Sequence, residues 1–326
     1  MRHGYVLSNA PESDWLICIN HNEVIYQDFI FAGGSADRAI LLRDEPMSIF
    51  PSQFESRVEK LYSLVLTPGM TRELSGMDTF IPWPYESNAN PNVPKKTDVD
   101  ILQQVLSKSF PISQEVWNSR ENEIVLISSN KVSPKKSLFH EFRRLVAHNA
   151  QTYNILVYGE LWDANLKRKV VHRLAVLLFA IRNRSSVSIR SVYGNLHWKY
   201  KTYGAVDNKF DVLVRCKISI VLENSDTTIS EKLFDSILAG CVPIYIGPKL
   251  SSVELPDNIA LECEPKIDSL FLLLDSLSSE QLEHVRLKGQ DFIQSDCFKH
   301  VWSSAAVNSS LSNLIRDHLE RLEDQD

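Results

Sequence analysis

The chain has 326 residues, of which 44% are hydrophobic, and its formal net charge is −6. A chain of this length and apolar content can bury one or two substantial cores, and we expect two domains. The negative charge argues against a nucleic-acid-binding protein, because no broad basic field is present to displace counterions from a phosphate backbone. The five cysteines are scattered without a C-x-x-C pair, which favours neither a zinc site nor a dense disulfide framework.

The N-terminus lacks a basic segment followed by an apolar one, as a secretion signal would require. No apolar run approaches the roughly 18 residues needed to cross a bilayer. The sequence therefore predicts a soluble, cytoplasmic protein without a transmembrane segment.

The N-terminal third has a short apolar run over residues 15–19 and predicts strands over 39–42 and 61–67, the first of them buried. Asp44 and Glu45 follow the strand over 39–42 and precede a proline, which places their carboxylates at a strand end. The alternative is a structural carboxylate paired with Arg43. Trp83 and Tyr85 lie in an aromatic, proline-rich segment and could contact a ligand or simply pack.

The D-x-D spacing of Asp98 and Asp100 superficially matches a known metal-binding motif. We interpret the pair instead as the start of a helix that reaches residue 106, and we predict no metal. The chain is then expected to cross between domains near residues 109–120.

The second half predicts alternating strands and helices. A strand over 123–129 ends before Asn130, a basic helix covers 136–148, and a strand over 154–158 ends at Gly159. The segment 164–184 predicts a helix that is basic at both ends. Helices over 268–277 and 279–294 and a terminal helix over 297–319 complete the pattern.

Residues 214–248 predict a βαβ unit. An apolar run over 218–222 ends in a polar turn, and Thr228 and Glu231 have the spacing of a capping box. The helix is expected to end at Gly240, where a left-handed residue is tolerated. The apolar run 242–246 then predicts a buried strand parallel to the first.

Polar side chains cluster at the carboxyl end of this unit, where ligands bind in open α/β sheets. A lysine at a helix start, as predicted for Lys232, is electrostatically unfavourable unless a phosphate lies beside it. Glu223 and Glu231 would then be acceptors for sugar hydroxyls. The alternative is a solvated turn with a surface Lys–Glu pair. The set at this edge is Glu223, Asn224, Ser225, Ser230, Glu231 and Lys232.

The segment from Glu223 to Gly247 reads E-N-S…T-I-S-E-K-L-F-D-S-I-L-A-G-C-V-P-I-Y-I-G. It resembles the donor-site signature of the family 10 glycosyltransferases, the α-1,3/α-1,4-fucosyltransferases. The resemblance implies a GT-B architecture, in which two Rossmann-like domains with parallel sheets face each other across a cleft. It places an acceptor-side domain at 1–120, a nucleotide-sugar donor domain at 121–300, and a helix with an acidic tail at 301–326. Animal and plant members usually carry a membrane anchor, so its absence here favours a bacterial-type member or a truncated form of a longer protein.

The resemblance also implies an activity: metal-independent inverting transfer of fucose from GDP-fucose to a hydroxyl of an oligosaccharide or glycoconjugate, without a cofactor. Glu45 would be the general base, with Asp44 as the second choice. Trp83 and Tyr85 would contact the acceptor. Ser230, Glu231, Glu223 and Asn224 would contact the donor.

For the donor diphosphate, the resemblance implies Lys232, assisted by Lys199 or Lys201 where the family often has arginine. A G-x-V-x-x-K-x-x-x-L pattern adds Lys209, and the turns at Asn130 and Gly159 would face the nucleotide. Two alternatives stay open, namely a transferase that uses another nucleotide sugar and a non-catalytic binding protein of GT-B shape.

Overall fold

The structure is a computed structural model, and it describes residues 14–43, 50–67, 111–132, 137–162, 166–182, 200–302 and 304–323. The strands of these residues form two parallel sheets. The first has the order β1-β2-β3 and contains β1 (Leu16–Ile19), β2 (Ala39–Leu42) and β3 (Leu64–Leu66). The second has the order β5-β4-β6-β7-β8 and contains β4 (Glu121–Ile127), β5 (Ile155–Tyr158), β6 (Cys216–Leu222), β7 (Val242–Ile246) and β8 (Leu261–Glu262). The predicted α/β class with parallel sheets is confirmed.

Helices connect and cover these strands. Those of the first half are α1 (Glu23–Phe31), α2 (Ser56–Glu59), α3 (Gln114–Asn118), α4 (Leu138–His148) and α5 (Leu166–Arg182). Those of the second half are α6 (Phe210–Leu213), α7 (Lys232–Leu238), α8 (Ile267–Ser276), α9 (Ser279–Gln294) and α10 (Ser304–Glu323). Within the described ranges, no helix combines the length and apolar content that crossing a membrane requires.

Buried apolar clusters lie on both faces of the first sheet. On one face, Cys18 and Leu41 pack with Tyr26 and Phe29 of α1 in a buried cluster. On the other face, Leu66 packs against apolar side chains of α10, the last helix of the chain. Nε2 of His318 also lies 2.9 Å from Oγ of Ser63. The C-terminal helix therefore packs on the N-terminal sheet.

The second sheet is covered by helices on both faces, because its strands are apolar on both sides. Phe139, Phe142 and Val146 of α4 pack with Leu126 and other side chains of one face. The opposite face packs on α7 and α9, and this core includes Phe234 and Trp302. Since α4 and α7 lie on opposite faces, the chain leaves β4 and β6 in opposite directions. The carboxyl ends of these two neighbouring strands form a topological switch point.

The predicted βαβ unit is confirmed as β6–α7–β7, but its helix begins later than expected. Glu231 is the N-cap residue and has helical backbone angles, and no side chain caps the helix. The hydroxyl of Thr228 instead lies 2.8 Å from Oγ of Ser225. The capping-box prediction for Thr228 and Glu231 is therefore wrong, because the turn before α7 is stabilised by its own hydroxyl contacts.

The end of α7 is as predicted. Gly240 has a left-handed φ of +78°. Arg120 donates one hydrogen bond to the carbonyl of Ala239 (2.7 Å) and one to the carbonyl of Cys216 (3.2 Å). A cation thus satisfies a carbonyl at the negative end of the helix. This contact also fixes the start of β6 relative to the end of α7.

Candidate functional site

The carboxylate of Glu223 organises the turn that follows β6. Its side chain is only 1% exposed, and Oε1 accepts a hydrogen bond from the amide of Ser230 at 3.1 Å. Oε2 accepts from the hydroxyl of Ser230 at 2.6 Å and from Nζ of Lys232 at 3.4 Å. A buried carboxylate requires such partners, because an unpaired one would be strongly destabilising. The turn between β6 and α7 is therefore folded around Glu223.

Lys232 occupies the first position of α7, and the sequence predicted it within the first turn of this helix. Its side chain is 25% exposed, and Nζ also donates to Oγ of Ser230 at 3.1 Å. One side of the ammonium group is held by Glu223 and Ser230, and the exposed part keeps hydrogen-bond capacity for an anion. The predicted donor residues Glu223, Ser230 and Lys232 thus form one contiguous network.

Arg143 of α4 extends this network across the switch point. Nη1 donates to the carbonyl of Ser129, after β4, at 2.8 Å. Nη2 donates to Oδ1 of Asn224, after β6, at 3.0 Å. Burial, together with the charge of Arg144, lowers the pKa of Arg143 to about 10, which still leaves the guanidinium charged at neutral pH. A fully buried cation here makes the switch point electropositive.

His140 lies one turn before Arg144 on the same helix and is 2% exposed. Oγ of Ser137 accepts from the amide of His140 and lies 2.9 Å from its Nδ1. We assign the neutral tautomer with the proton on Nε2, because the hydroxyl proton of Ser137 is then available to donate to Nδ1. Nε2 has no hydrogen-bond partner within the described residues.

The pKa of His140 lies well below its ordinary value. Burial is the main cause, and the positive charges of Arg143, Arg144, Lys232 and Lys131 add to it. Four cations act on this imidazole, so the immediate surroundings of His140 are electropositive. Such a region favours an anionic ligand.

Asn130 and Gly159 have structural partners at the ends of β4 and β5. Oδ1 of Asn130 accepts from Nε of Arg144 at 3.3 Å. Gly159 has a φ of +135°, and a Cβ atom there would lie 2.3 Å from the carbonyl oxygen of Ser128. The close approach of two backbone segments therefore accounts for this glycine. A role of either residue in nucleotide binding stays a prediction.

Lys209 faces carboxylates of α7. Its ammonium group contacts Asp235, which is 2% exposed, and lies 3.7 Å from Oε1 of Glu231. A cavity of about 130 Å³ borders these groups, and its lining also includes Lys232 and Ser236. Because two carboxylates already balance the charge of Lys209, its predicted role toward a phosphate is less direct than that of Lys232.

The remaining predicted residues fall into two groups. Lys201 is described and is exposed on the segment that follows residue 200. Five others lie outside the described residues: Asp44, Glu45, Trp83, Tyr85 and Lys199. In the part of the chain that the structure describes, no group of three or more His, Cys, Asp or Glu side chains could hold a metal ion.

His140, Arg143 and Arg144 were not predicted as site residues, because the basic helix over 136–148 was predicted without an assignment for its cations. A signal was present in the spacing. Phe139, Phe142 and Val146 mark the buried face of α4, and Arg143 stands four residues after Phe139. An arginine at the border of a buried face, after a strand at the switch point, is a candidate ligand for an anion.

No family model matches this chain, and no curated protein matches it. Solved structures do match. HepE from Anabaena in complex with UDP and glucose has a TM-score of 0.55 and 10% identity, over 94% of this chain and 79% of that chain. HepE in complex with UDP-glucose has a TM-score of 0.51 and 9% identity, over 90% of this chain and 76% of that chain.

An α1,3-fucosyltransferase structure also matches, with a TM-score of 0.46 and 13% identity, over 95% of this chain and 81% of that chain. A likeness at this level does not select fucose as the sugar. The matches to HepE, together with the two parallel sheets, show that this chain has the fold of the GT-B glycosyltransferases. The predicted GT-B architecture is confirmed at the level of the fold.

Proposed function

We propose that this protein is a glycosyltransferase that uses a nucleotide diphosphate sugar. The observation that carries the proposal is the cluster of cationic side chains at the carboxyl ends of β4 and β6 in a chain with a GT-B fold. Lys232 and Arg143 supply permanent cations there, and His140 supplies a neutral N–H donor. A diphosphate carries the charge and the acceptor oxygens that such a set recognises.

The chemistry needs stabilisation of the leaving group. When the sugar–phosphate bond breaks, negative charge develops on the nucleoside diphosphate. The ammonium of Lys232 is partly exposed and held in place by Glu223 and Ser230, so it is oriented before the donor binds. Such a preorganised cation stabilises the departing oxyanion without reorganisation. The base that deprotonates the acceptor hydroxyl is proposed to be Glu45, with Asp44 as the second candidate.

We further propose that the donor is GDP-fucose and that the transfer to a glycan hydroxyl inverts the anomeric centre. The support is the motif from Glu223 to Gly247, which resembles the donor signature of the α-1,3-fucosyltransferases. Three of its polar members meet in space, since Glu223, Ser230 and Lys232 form one network. A second candidate donor is a UDP-sugar, because HepE, of similar fold, has been crystallised with UDP-glucose.

Calorimetry without added metal separates these possibilities. We expect GDP-fucose and GDP to bind and UDP-glucose and UDP to bind much more weakly. Selective binding of UDP-glucose would retain the transferase class and reject fucose as the sugar. If no nucleoside diphosphate binds, the proposed function is wrong.

Two variants test the assigned roles. Lys232→Ala removes a charged hydrogen bond worth about 1.5–3 kcal/mol, so we expect GDP affinity to fall roughly 10- to 100-fold. Lys249→Ala is the matched control, since Lys249 is also a lysine that begins a helical turn after a strand and is exposed. Glu45→Gln should abolish transfer and leave donor affinity unchanged, and transfer that survives in this variant would move the base to Asp44 or elsewhere.

A further inference from the structure

The helix α5 exposes its apolar side to solvent and turns its polar side toward the protein. Five apolar side chains along it are between 38% and 60% exposed: Val170, Val171, Leu174, Leu178 and Ile181. Their spacing puts them on one stripe of a helix, about 16 Å long. We call these five residues the α5 outer face. Soluble helices normally direct such a stripe toward the core.

The opposite side of α5 is polar and faces the protein. Arg173 is 3% exposed, and His172 has a pKa that burial lowers, with Lys131 and Arg173 as further causes. Nζ of Lys169 lies 5.9 Å from the centroid of the Tyr200 ring. The inner side of α5 is thus fixed by charged and aromatic contacts, so the helix cannot rotate to bury its outer face without losing them.

The charge of α5 indicates the chemistry of its partner. The helix contains Lys or Arg at five positions and neither Asp nor Glu, although the whole chain has a net charge of −6. Lys167 stands four residues before Val171, and Arg182 stands four residues after Leu178. The helix positions of the apolar stripe are therefore bordered by basic residues at both ends.

We propose that the α5 outer face docks on the surface of an anionic lipid bilayer. An exposed apolar stripe bordered by basic residues matches the acyl boundary and the anionic headgroups of such a surface. A second copy of this chain is less suitable as the occupant. Since both ends of the helix are basic, parallel and antiparallel pairing would each bring like charges together.

Docking through this face would bring the candidate donor site close to the membrane. The inner side of α5 is adjacent to Lys131, which follows β4 and contributes to the positive charge around His140. The partner is a surface on which the helix lies, since α5 is not long and apolar enough to span a bilayer. The inference does not depend on which nucleotide sugar the protein uses.

Sedimentation with vesicles tests the proposal. We expect the full chain to bind vesicles of phosphatidylcholine with phosphatidylglycerol, and to bind pure phosphatidylcholine vesicles at least tenfold more weakly. Added salt should weaken the binding to anionic vesicles. Binding to neither kind of vesicle, or equal binding to both, would overturn the proposal.

The variant Leu174→Gln/Leu178→Gln changes two exposed side chains to a residue of similar helix propensity. It should retain the circular dichroism of the parent and lose roughly tenfold or more in vesicle binding, since apolar area drives insertion. Leu272→Gln/Leu287→Gln is the matched control on α8 and α9, where both side chains are also exposed. If Leu174→Gln/Leu178→Gln binds vesicles as the parent does, lipid is not the occupant. The same follows if light scattering shows a concentration-dependent dimer of the parent that this variant abolishes and the control variant retains.

Discussion

Nη2 of Arg143 donates a hydrogen bond of 3.0 Å to Oδ1 of Asn224, a residue 81 positions later in the chain. The same guanidinium donates to the carbonyl of Ser129 through Nη1. One buried side chain therefore makes hydrogen bonds to both the loop after β4 and the loop after β6. These loops form the proposed diphosphate site, so the geometry of the site depends on a residue that belongs to α4.

The variant Arg143→Lys tests these hydrogen bonds. Lysine keeps the positive charge but cannot make two hydrogen bonds in the planar fork that arginine provides. We expect the free energy of unfolding to fall by about 1.5–3 kcal/mol, the value of one hydrogen bond to a charged group. Urea unfolding measures this change. Arg215→Lys, at an exposed arginine, should unfold like the parent, and equal stabilities for all three proteins would show that the fork is dispensable.

His140 makes stability sensitive to acid. Its pKa in the folded protein is well below 6.5, so below about pH 6.5 the unfolded chain takes up a proton that the native chain does not. The free energy of unfolding should therefore fall as the pH drops below 6.5, with a contribution of up to about 1.4 kcal/mol per pH unit. This contribution should be absent from His140→Gln.

Urea unfolding at about pH 7.5, 6.5 and 5.5 measures that slope. The matched control is His300→Gln, at an exposed histidine, and it should keep the slope of the parent. If the free energy of unfolding changes equally with pH in the parent and in His140→Gln, then His140 is not held neutral in the folded protein.

Variants of the ion pair between Lys209 and Asp235 show whether Lys209 has a structural role or binds the donor. Lys209→Met leaves the buried carboxylate of Asp235 without its cation, and we expect a loss of about 3 kcal/mol in unfolding free energy. Adding Asp235→Asn should recover part of the loss, because the uncompensated charge is gone. We expect GDP affinity in the double variant to stay near that of the parent. If the double variant is stable but no longer binds GDP, Lys209 is a donor-binding residue.

Gly240→Ala should be strongly destabilising. Its φ of +78° is unfavourable for alanine, and the added Cβ would lie 2.6 Å from Cγ1 of Ile112. Gly33→Ala is the control, because Gly33 also has a positive φ but a Cβ atom added there would meet no other atom within 4 Å. In urea unfolding, we expect Gly33→Ala to lose about 1–2 kcal/mol of unfolding free energy and Gly240→Ala to lose more. Equal losses would mean that the contact with Ile112 relaxes.

The regular elements of the second sheet could be predicted from the sequence because each strand is a short apolar run between turn residues. The βαβ unit ending at Gly240 is the clearest case. The start of its helix could not be predicted. Thr228 and Glu231 have capping spacing, but Thr228 binds Ser225 instead, and spacing does not reveal which hydroxyl partner is available. The third strand is also shorter than predicted, since residues 61–63 lie before the start of β3.

The site was predicted only where it is continuous in sequence. Glu223, Ser230 and Lys232 lie within ten residues, and the motif indicated them together. Arg143 joins them only through the tertiary arrangement of β4 and β6, which no local pattern encodes. Burial of an arginine is also rare enough that a basic helix is normally expected to be solvated.

The contact between α10 and β3 has a consequence for biosynthesis. The chain emerges from the ribosome N-terminus first, so β3 is made long before Leu311, Leu314 and Ile315, which cover Leu66. Until α10 is synthesised, this face of the first sheet lacks that cover, whereas the second sheet can already assemble on its own two cores. Nascent chains are therefore most exposed to aggregation and proteolysis at the first sheet, which is translated before the second.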